Sequence, residues 1–327
     1  MKKIKLLLLL CIIGFNLIGC SDLNNQNVAI ETQEYYRLND TYNYNWTIGF
    51  QTLEQEDNLG TLLIYEDEYL PLNLNVGFSG AGEENQIIDT EIRVYYDYQP
   101  ISFKLEEDGN FEYTYTLDVQ NHTKYKLNLY LNSNEIIKDK DIHKLFVTTN
   151  TGLDIKSKNL EISTDAYGTS TIYDIVHSST YNNSYTNLPE HTTLSFTKVT
   201  DKILSPNVLT INQDKTFDIN NPQIQFSKSN YTTNNEIITF NSFISPVNVN
   251  EDMLIIICLN FEPYLLKYIP KFEHIGTYFS ELQLELPLEA GDYEVTAYTI
   301  VNPFEKIVDV GHQFTQLVDR FTITKEK

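Results

Sequence analysis

Over long stretches of this chain apolar side chains recur at every second position, and that period constrains the fold more than any other feature. Leu70, Leu72, Leu74, Val76 and Phe78 alternate with Pro71, Asn73, Asn75 and Gly77. Phe111, Tyr113, Tyr115, Leu117 and Val119 alternate with Glu112, Thr114, Thr116 and Asp118, and Tyr125, Leu127, Leu129 and Leu131 with Lys126, Asn128 and Tyr130. Successive side chains of a strand point to opposite faces, so such runs lay one face on a core and the other in water. That pattern belongs to antiparallel sheets. Asp108-Gly109-Asn110, just before Phe111, supplies a turn that tolerates positive φ. No stretch longer than a turn or two carries the 3.6-residue period of an amphipathic helix. The chain is expected to be all-β. The run Met253–Leu259 is apolar throughout and predicts a strand buried on both faces, with Cys258 an inert core thiol.

A weak internal repeat organises these strands. Asp97-Tyr98-Gln99-Pro100 ends one strand as Asn260-Phe261-Glu262-Pro263 ends another. Downstream, Gln120 to Leu127 aligns with Glu289 to Ala297, and the copies close with Phe146-Val147-Thr148-Thr149 and Phe321-Thr322-Ile323-Thr324. The string Gly291-Asp292-Tyr293-Glu294-Val295 resembles the tyrosine corner of immunoglobulin-like sandwiches, where a tyrosine near the start of strand F bonds back to upstream backbone. The resemblance implies tandem immunoglobulin-like antiparallel β-sandwiches, with Tyr125 and Tyr293 as corner residues. Leu127 and Val295 stand where antibody domains carry cysteine, so the antibody-type disulfide is absent. The expected division is a sandwich over 35–150, a β-rich connecting region or small module over 151–221, and a second sandwich over 222–327.

The N-terminus reads as an export signal. Lys2, Lys3 and Lys5 precede an apolar run from Leu6 to Phe15, too short for a permanent membrane span. Leu17-Ile18-Gly19-Cys20 resembles the lipobox of bacterial lipoproteins. That resemblance implies a signal peptide over 1–19, cleavage between Gly19 and Cys20, and acylation (diacylglycerol, palmitate) of Cys20. Residues 20–34 then form a lipidated tether, polar and rich in asparagine and glutamine. Two acyl chains anchor stably at about 0.8 kcal/mol per buried methylene. The expected location is extracytoplasmic, on the cell membrane or an outer membrane, with the lipid bilayer as the first partner.

Loss of the leader's lysines takes the net charge from −22 to about −25. A polyanion of this size does not seek nucleic acid by charge. Cys258 is the single cysteine left in the mature chain, so no internal disulfide forms. The six histidines, at 122, 143, 177, 191, 274 and 312, show no metal-ligand spacing, and no nucleophile or phosphate-loop motif occurs. Acidic clusters such as Glu106-Glu107-Asp108 and Asp139-Lys140-Asp141 read as solvated turns. No catalytic residue, metal or cofactor is expected. Tyr96, Tyr98 and Tyr130 fall opposite the predicted core and are expected to be exposed, a composition suited to binding proteins or sugars. These features point to a surface lipoprotein with a non-enzymatic binding or structural role, its partner an extracellular protein or glycan. Alternatives are a carbohydrate-binding or glycan-uptake accessory and an immunity or sequestering lipoprotein for a cationic peptide.

Overall fold

The computed structural model describes residues 44–50, 61–66, 71–80, 87–153, 156–157, 168–185, 190–203, 210–212, 230–246, 249–307 and 315–327. The leader, Gly19, Cys20 and the tether lie outside them. Among the described residues every regular element is a strand, and no helix is long and apolar enough to cross a membrane.

The first set comprises β1 (Tyr44–Phe50), β2 (Leu62–Ile64), β3 (Leu72–Gly80), β4 (Ile87–Tyr96) and β5 (Gln99–Pro100). It continues with β6 (Phe103–Lys104), β7 (Thr114–Gln120), β8 (Thr123–Leu131), β9 (His143–Thr151) and β10 (Gly168–Val176). The second set begins with β11 (Thr192–Thr193), β12 (Thr197–Thr200), β13 (Thr210–Asn212), β14 (Asn230–Thr233) and β15 (Ile237–Ile244). It ends with β16 (Met253–Leu259), β17 (Glu262–Ile269), β18 (Thr277–Glu285), β19 (Gly291–Val301) and β20 (Thr315–Lys325).

Both sets follow one plan. In the first, sheet β1-β3-β8-β6 packs on sheet β2-β10-β9-β4-β5, with β7 also paired to β4; in the second, β12-β18-β15-β13 packs on β11-β17-β16-β19-β20-β14. Strands β3, β4, β8, β9 and β10 occupy the places of β15, β16, β18, β19 and β20. In each set a short early strand, β2 or β14, lies parallel on the last one. This is the Greek-key plan of the immunoglobulin sandwich, present twice. Strand β10 pairs with β9, so the first sandwich runs past residue 150. Strands β11, β12 and β13 join the sheets of the second, so the described parts of 151–221 supply strands to both sandwiches rather than forming a module of their own.

The Asp97/Asn260 repeat marks equivalent hairpins. Asp97 and Tyr98 have φ of 47° and 65°, and Asn260 and Phe261 of 49° and 68°, the pair of positive angles that a type I′ turn requires. The short polar side chain at the first position bonds the neighbouring strand of the sheet in both, β9 or β19. Asp97 Oδ1 accepts the Lys144 N–H at 2.9 Å, and Asn260 Oδ1 accepts the Glu294 N–H at 3.0 Å. The further alignment of 120–127 with 289–297 does not follow the strand order: residues 123–131 form β8, whereas β19 corresponds to β9.

The two sandwiches pack sheet to sheet. Each has its own inner core, one around Leu74, Ile92, Phe103 and Leu145, the other around Phe240, Ile255, Val295 and Phe321. A third core joins Tyr95, Tyr98, Phe146 and Ile172 of the first to Leu254, Ile256, Cys258, Tyr298 and Ile300 of the second. The order is therefore four sheets with three apolar layers between them. Strands β9 and β16 lie in the middle sheets and are buried along their whole length. That is why Met253–Leu259 carries no polar face. The expectation of exposed tyrosines is corrected: Tyr96, Tyr98 and Tyr130 are 4%, 2% and 8% exposed, with Tyr96 in the inner core of the first sandwich and Tyr98 in the layer between the two.

Two buried ion pairs stitch this interface in equivalent places. In the first sandwich Lys144 Nζ lies 2.6 Å from Asp174 Oδ1; in the second Arg320 Nε lies 2.7 Å from Glu294 Oε1. Lys144 and Glu294 occupy equivalent places on β9 and β19, each donating its backbone N–H to the first side chain of the repeated turn. Each pair then engages a loop of the other sandwich. Lys144 donates to the Glu305 carbonyl and Asp174 accepts from Ile307 N–H. Arg320 donates to the carbonyls of Thr151 and Gly152, and Glu294 accepts from Ser157 N–H. The cation meets carbonyls and the anion meets N–H groups, so the desolvated charges keep full sets of partners. Tyr98 adds a hydrogen bond to the Pro303 carbonyl and an edge contact with Phe304. Holding an aromatic residue at positive φ costs about 1 kcal/mol or more. Burying its ring returns about 2–3 kcal/mol, so the turn is stable because of what its ring reaches.

Candidate functional site

A cleft of about 740 Å³ opens at the end of the first sandwich where the Asp97–Tyr98 turn lies. Four segments build it. The turn and β5 contribute Asp97, Gln99 and Pro100; the loop between β8 and β9 contributes Glu135, Ile137, Asp139 and Asp141; Tyr185 follows β10, and Tyr113 stands just before β7. The loop is fixed from within. Ile136 is buried in the core, while Glu135 accepts from Ser102 N–H at 2.7 Å, from the Ser102 hydroxyl at 2.8 Å and from Asn132 Nδ2 at 2.9 Å. Asp141 Oδ1 accepts from Asn182 Nδ2 and the Ser184 hydroxyl, which ties the chain after β10 to the same rim and holds the Asp141 carboxyl below its ordinary range.

Beneath the cleft floor His143, fully buried, bridges two of these carboxylates. Its Nδ1 lies 2.7 Å from Asp97 Oδ2 and its Nε2 3.0 Å from Asp139 Oδ1. Burial opposes the charged ring, but Asp97 and then Asp139 outweigh it and raise the His143 pKa above the ordinary 6.5. The imidazole stacks on Tyr96 with centroids 4.8 Å apart. His177, 5.8 Å from His143 between ring centroids, shares a 2.7 Å hydrogen bond with the Tyr96 hydroxyl; burial lowers its pKa. One buried histidine is thus set toward the charged form and its neighbour toward the neutral one. Asp97 and Glu135 have both oxygens engaged by the protein, while Asp139 and Asp141 each use one. Asp139 Oδ2 and Asp141 Oδ2 are the acceptors left for a ligand. Among the described residues no group of three or more His, Cys, Asp or Glu has the geometry to hold a metal.

The sequence marked Asp139-Lys140-Asp141 as a solvated turn and the histidines as scattered. Antiparallel pairing brings His143 and the end of β10 together, and no spacing along the chain announces it. Of the two tyrosines assigned to corners, Tyr293 begins β19, and its hydroxyl donates to the Glu289 carbonyl at 2.7 Å. Tyr125 lies instead on β8, which pairs with β3, and its hydroxyl accepts the Gln120 N–H at 3.2 Å across a hairpin. Neither lines the cleft. Cys258 is buried in the inter-sandwich core, and burial pushes its thiol up to about 12.

No family model matches this chain, and no curated protein matches it. Among solved structures, the fibronectin(III)-like modules of Clostridium thermocellum CbhA are 7% identical, with 86% of this chain and 94% of that one covered and a TM-score of 0.21. The two tandem V-type regions of VCBP3, a v-region-containing chitin binding protein, are 9% identical (86% and 99% covered, TM-score 0.24). The E. coli chaperone DraB is 10% identical (85% and 98% covered, TM-score 0.24).

Proposed function

We propose that this chain is a non-enzymatic binding protein, held outside the cell membrane by an acylated Cys20, that takes its partner in the cleft beside the Asp97–Tyr98 turn. The observation that carries the reading is the use made of the two middle sheets. The faces that a single sandwich of this kind could offer to a partner are spent on each other, and Tyr96, Tyr98 and Tyr130, the tyrosines expected to face a partner, are buried. The cleft, built by four segments with outward carboxylates, is a prepared surface among the described residues. The lipobox-like Leu17-Ile18-Gly19-Cys20 supports the anchor.

Two measurements test this. Cys20→Ala should leave unprocessed precursor and release from the membrane fraction; a variant that stays membrane-bound with no precursor overturns the anchor. A photo-crosslinking residue placed at Ile137, 54% exposed in the cleft wall, should give a discrete adduct in intact cells, while the same residue at Ile237, 52% exposed on the second sandwich, should not. Equal adducts at both positions, or none at Ile137, overturn the cleft as the binding site.

A further inference from the structure

Building on that reading of the cleft, we infer that its partner is a basic amphipathic peptide segment, with ammonium or guanidinium groups on Asp139 and Asp141 and apolar side chains on the adjoining wall. Charge complementarity comes first. Four carboxylates line the cleft and no lysine or arginine does; Lys138 and Lys140, exposed on the same loop, form no part of the lining. Asp139 Oδ2 and Asp141 Oδ2 are held in place by what their sister oxygens bind, so a cation finds acceptors already ordered. The net charge of −22 draws cations from a distance as well.

The wall supplies the second argument. Tyr113 and Ile137, 55% and 54% exposed, both line the cleft, whereas the exposed apolar residues of the second sandwich are spread over separate loops and strands. An apolar strip beside a row of anions matches a segment with basic and apolar faces better than a free ion. It also matches such a segment better than a neutral sugar, which brings no positive charge to the four carboxylates.

The test is titration of the full chain with a fluorescent synthetic peptide of alternating lysine and leucine pairs, alongside lysine homopeptide of equal charge and a neutral chito-oligosaccharide. Binding of the lysine/leucine peptide should weaken at least tenfold between 20 and 300 mM salt. Asp141→Asn should weaken it about tenfold. Ile137→Lys, at an exposed position where folding is spared, should abolish it; Ile237→Lys on the second sandwich should leave it within twofold. Equal affinity for the homopeptide, salt-independent binding, equal loss with Ile237→Lys, or preference for the oligosaccharide would each overturn the inference. A crosslink at Ile137 in cells without peptide binding would reject the basic peptide while leaving the cleft as the binding site, and failure of both would reject both.

Discussion

The sharpest consequence of the paired sandwiches concerns Glu294 and Arg320. Their side chains are 0% and 2% exposed, and the carboxylate also accepts from Thr322 and from Ser157, which belongs to the opposite sandwich. Arg320→Met leaves a carboxylate with neutral donors only and strands the carbonyls of Thr151 and Gly152. Glu294→Met leaves a guanidinium with carbonyls and the Phe261 ring, 4.7 Å away. Breaking one partner of a buried pair costs about 3–5 kcal/mol. With a urea slope of about 3 kcal/mol/M, the midpoint should drop by about 1–1.7 M in either single variant. Removing both charges spares the second penalty, so the double variant should be less destabilised than the sum of the singles by about 2 kcal/mol or more. Because the third core spans both sandwiches, the wild-type chain should lose near-ultraviolet circular dichroism and Tyr/Trp fluorescence in one coincident transition. Additive single effects, or two separated transitions in the wild type, would refute the account of the interface given above.

Other consequences are more local. His143 has a raised pKa in the folded chain, so its bridge to Asp97 and Asp139 contributes fully below about pH 6.5 and is lost as pH rises through the folded value. Thermal melts of wild type and His143→Gln across pH 5.5–9 should therefore converge toward the alkaline end, and a constant gap would contradict the bridge. Tyr293→Phe removes the hydrogen bond to the Glu289 carbonyl and should cost about 1 kcal/mol in urea, with Tyr125→Phe costing less because its 3.2 Å contact is longer and its hydroxyl serves as the acceptor. Cys258 should resist an aromatic disulfide reagent at pH 8 in the native chain and react at once in denaturant; fast labelling without denaturant would mean that the two sandwiches part readily.

Much of this architecture was legible in the residues, for identifiable reasons. Alternation such as Leu72 to Phe78 gives the strands because a half-buried sheet leaves no other pattern, and the continuous run at Met253–Leu259 already recorded a strand covered on both faces. The repeated Asp97-Tyr98 and Asn260-Phe261 stood out because positive φ at two successive residues restricts what can occupy them. What failed to show was anything decided between segments. Alternation sets Tyr96 and Tyr98 alike opposite the core; it does not show that Tyr96 joins the inner core or that a second sandwich covers Tyr98. The 120–127 and 289–297 segments share turn-then-strand chemistry, and only the sheet order separates β8 from β9. The cleft was illegible for a related reason. Its carboxylates sit in ordinary turn sequences, and their meaning depends on His143, which reaches them through the protein interior.

The reciprocal packing of the middle sheets also bears on assembly. A face that a lone sandwich could use to form a two-fold dimer is here closed within one chain, so further copies cannot add through it and no open polymer can grow from it.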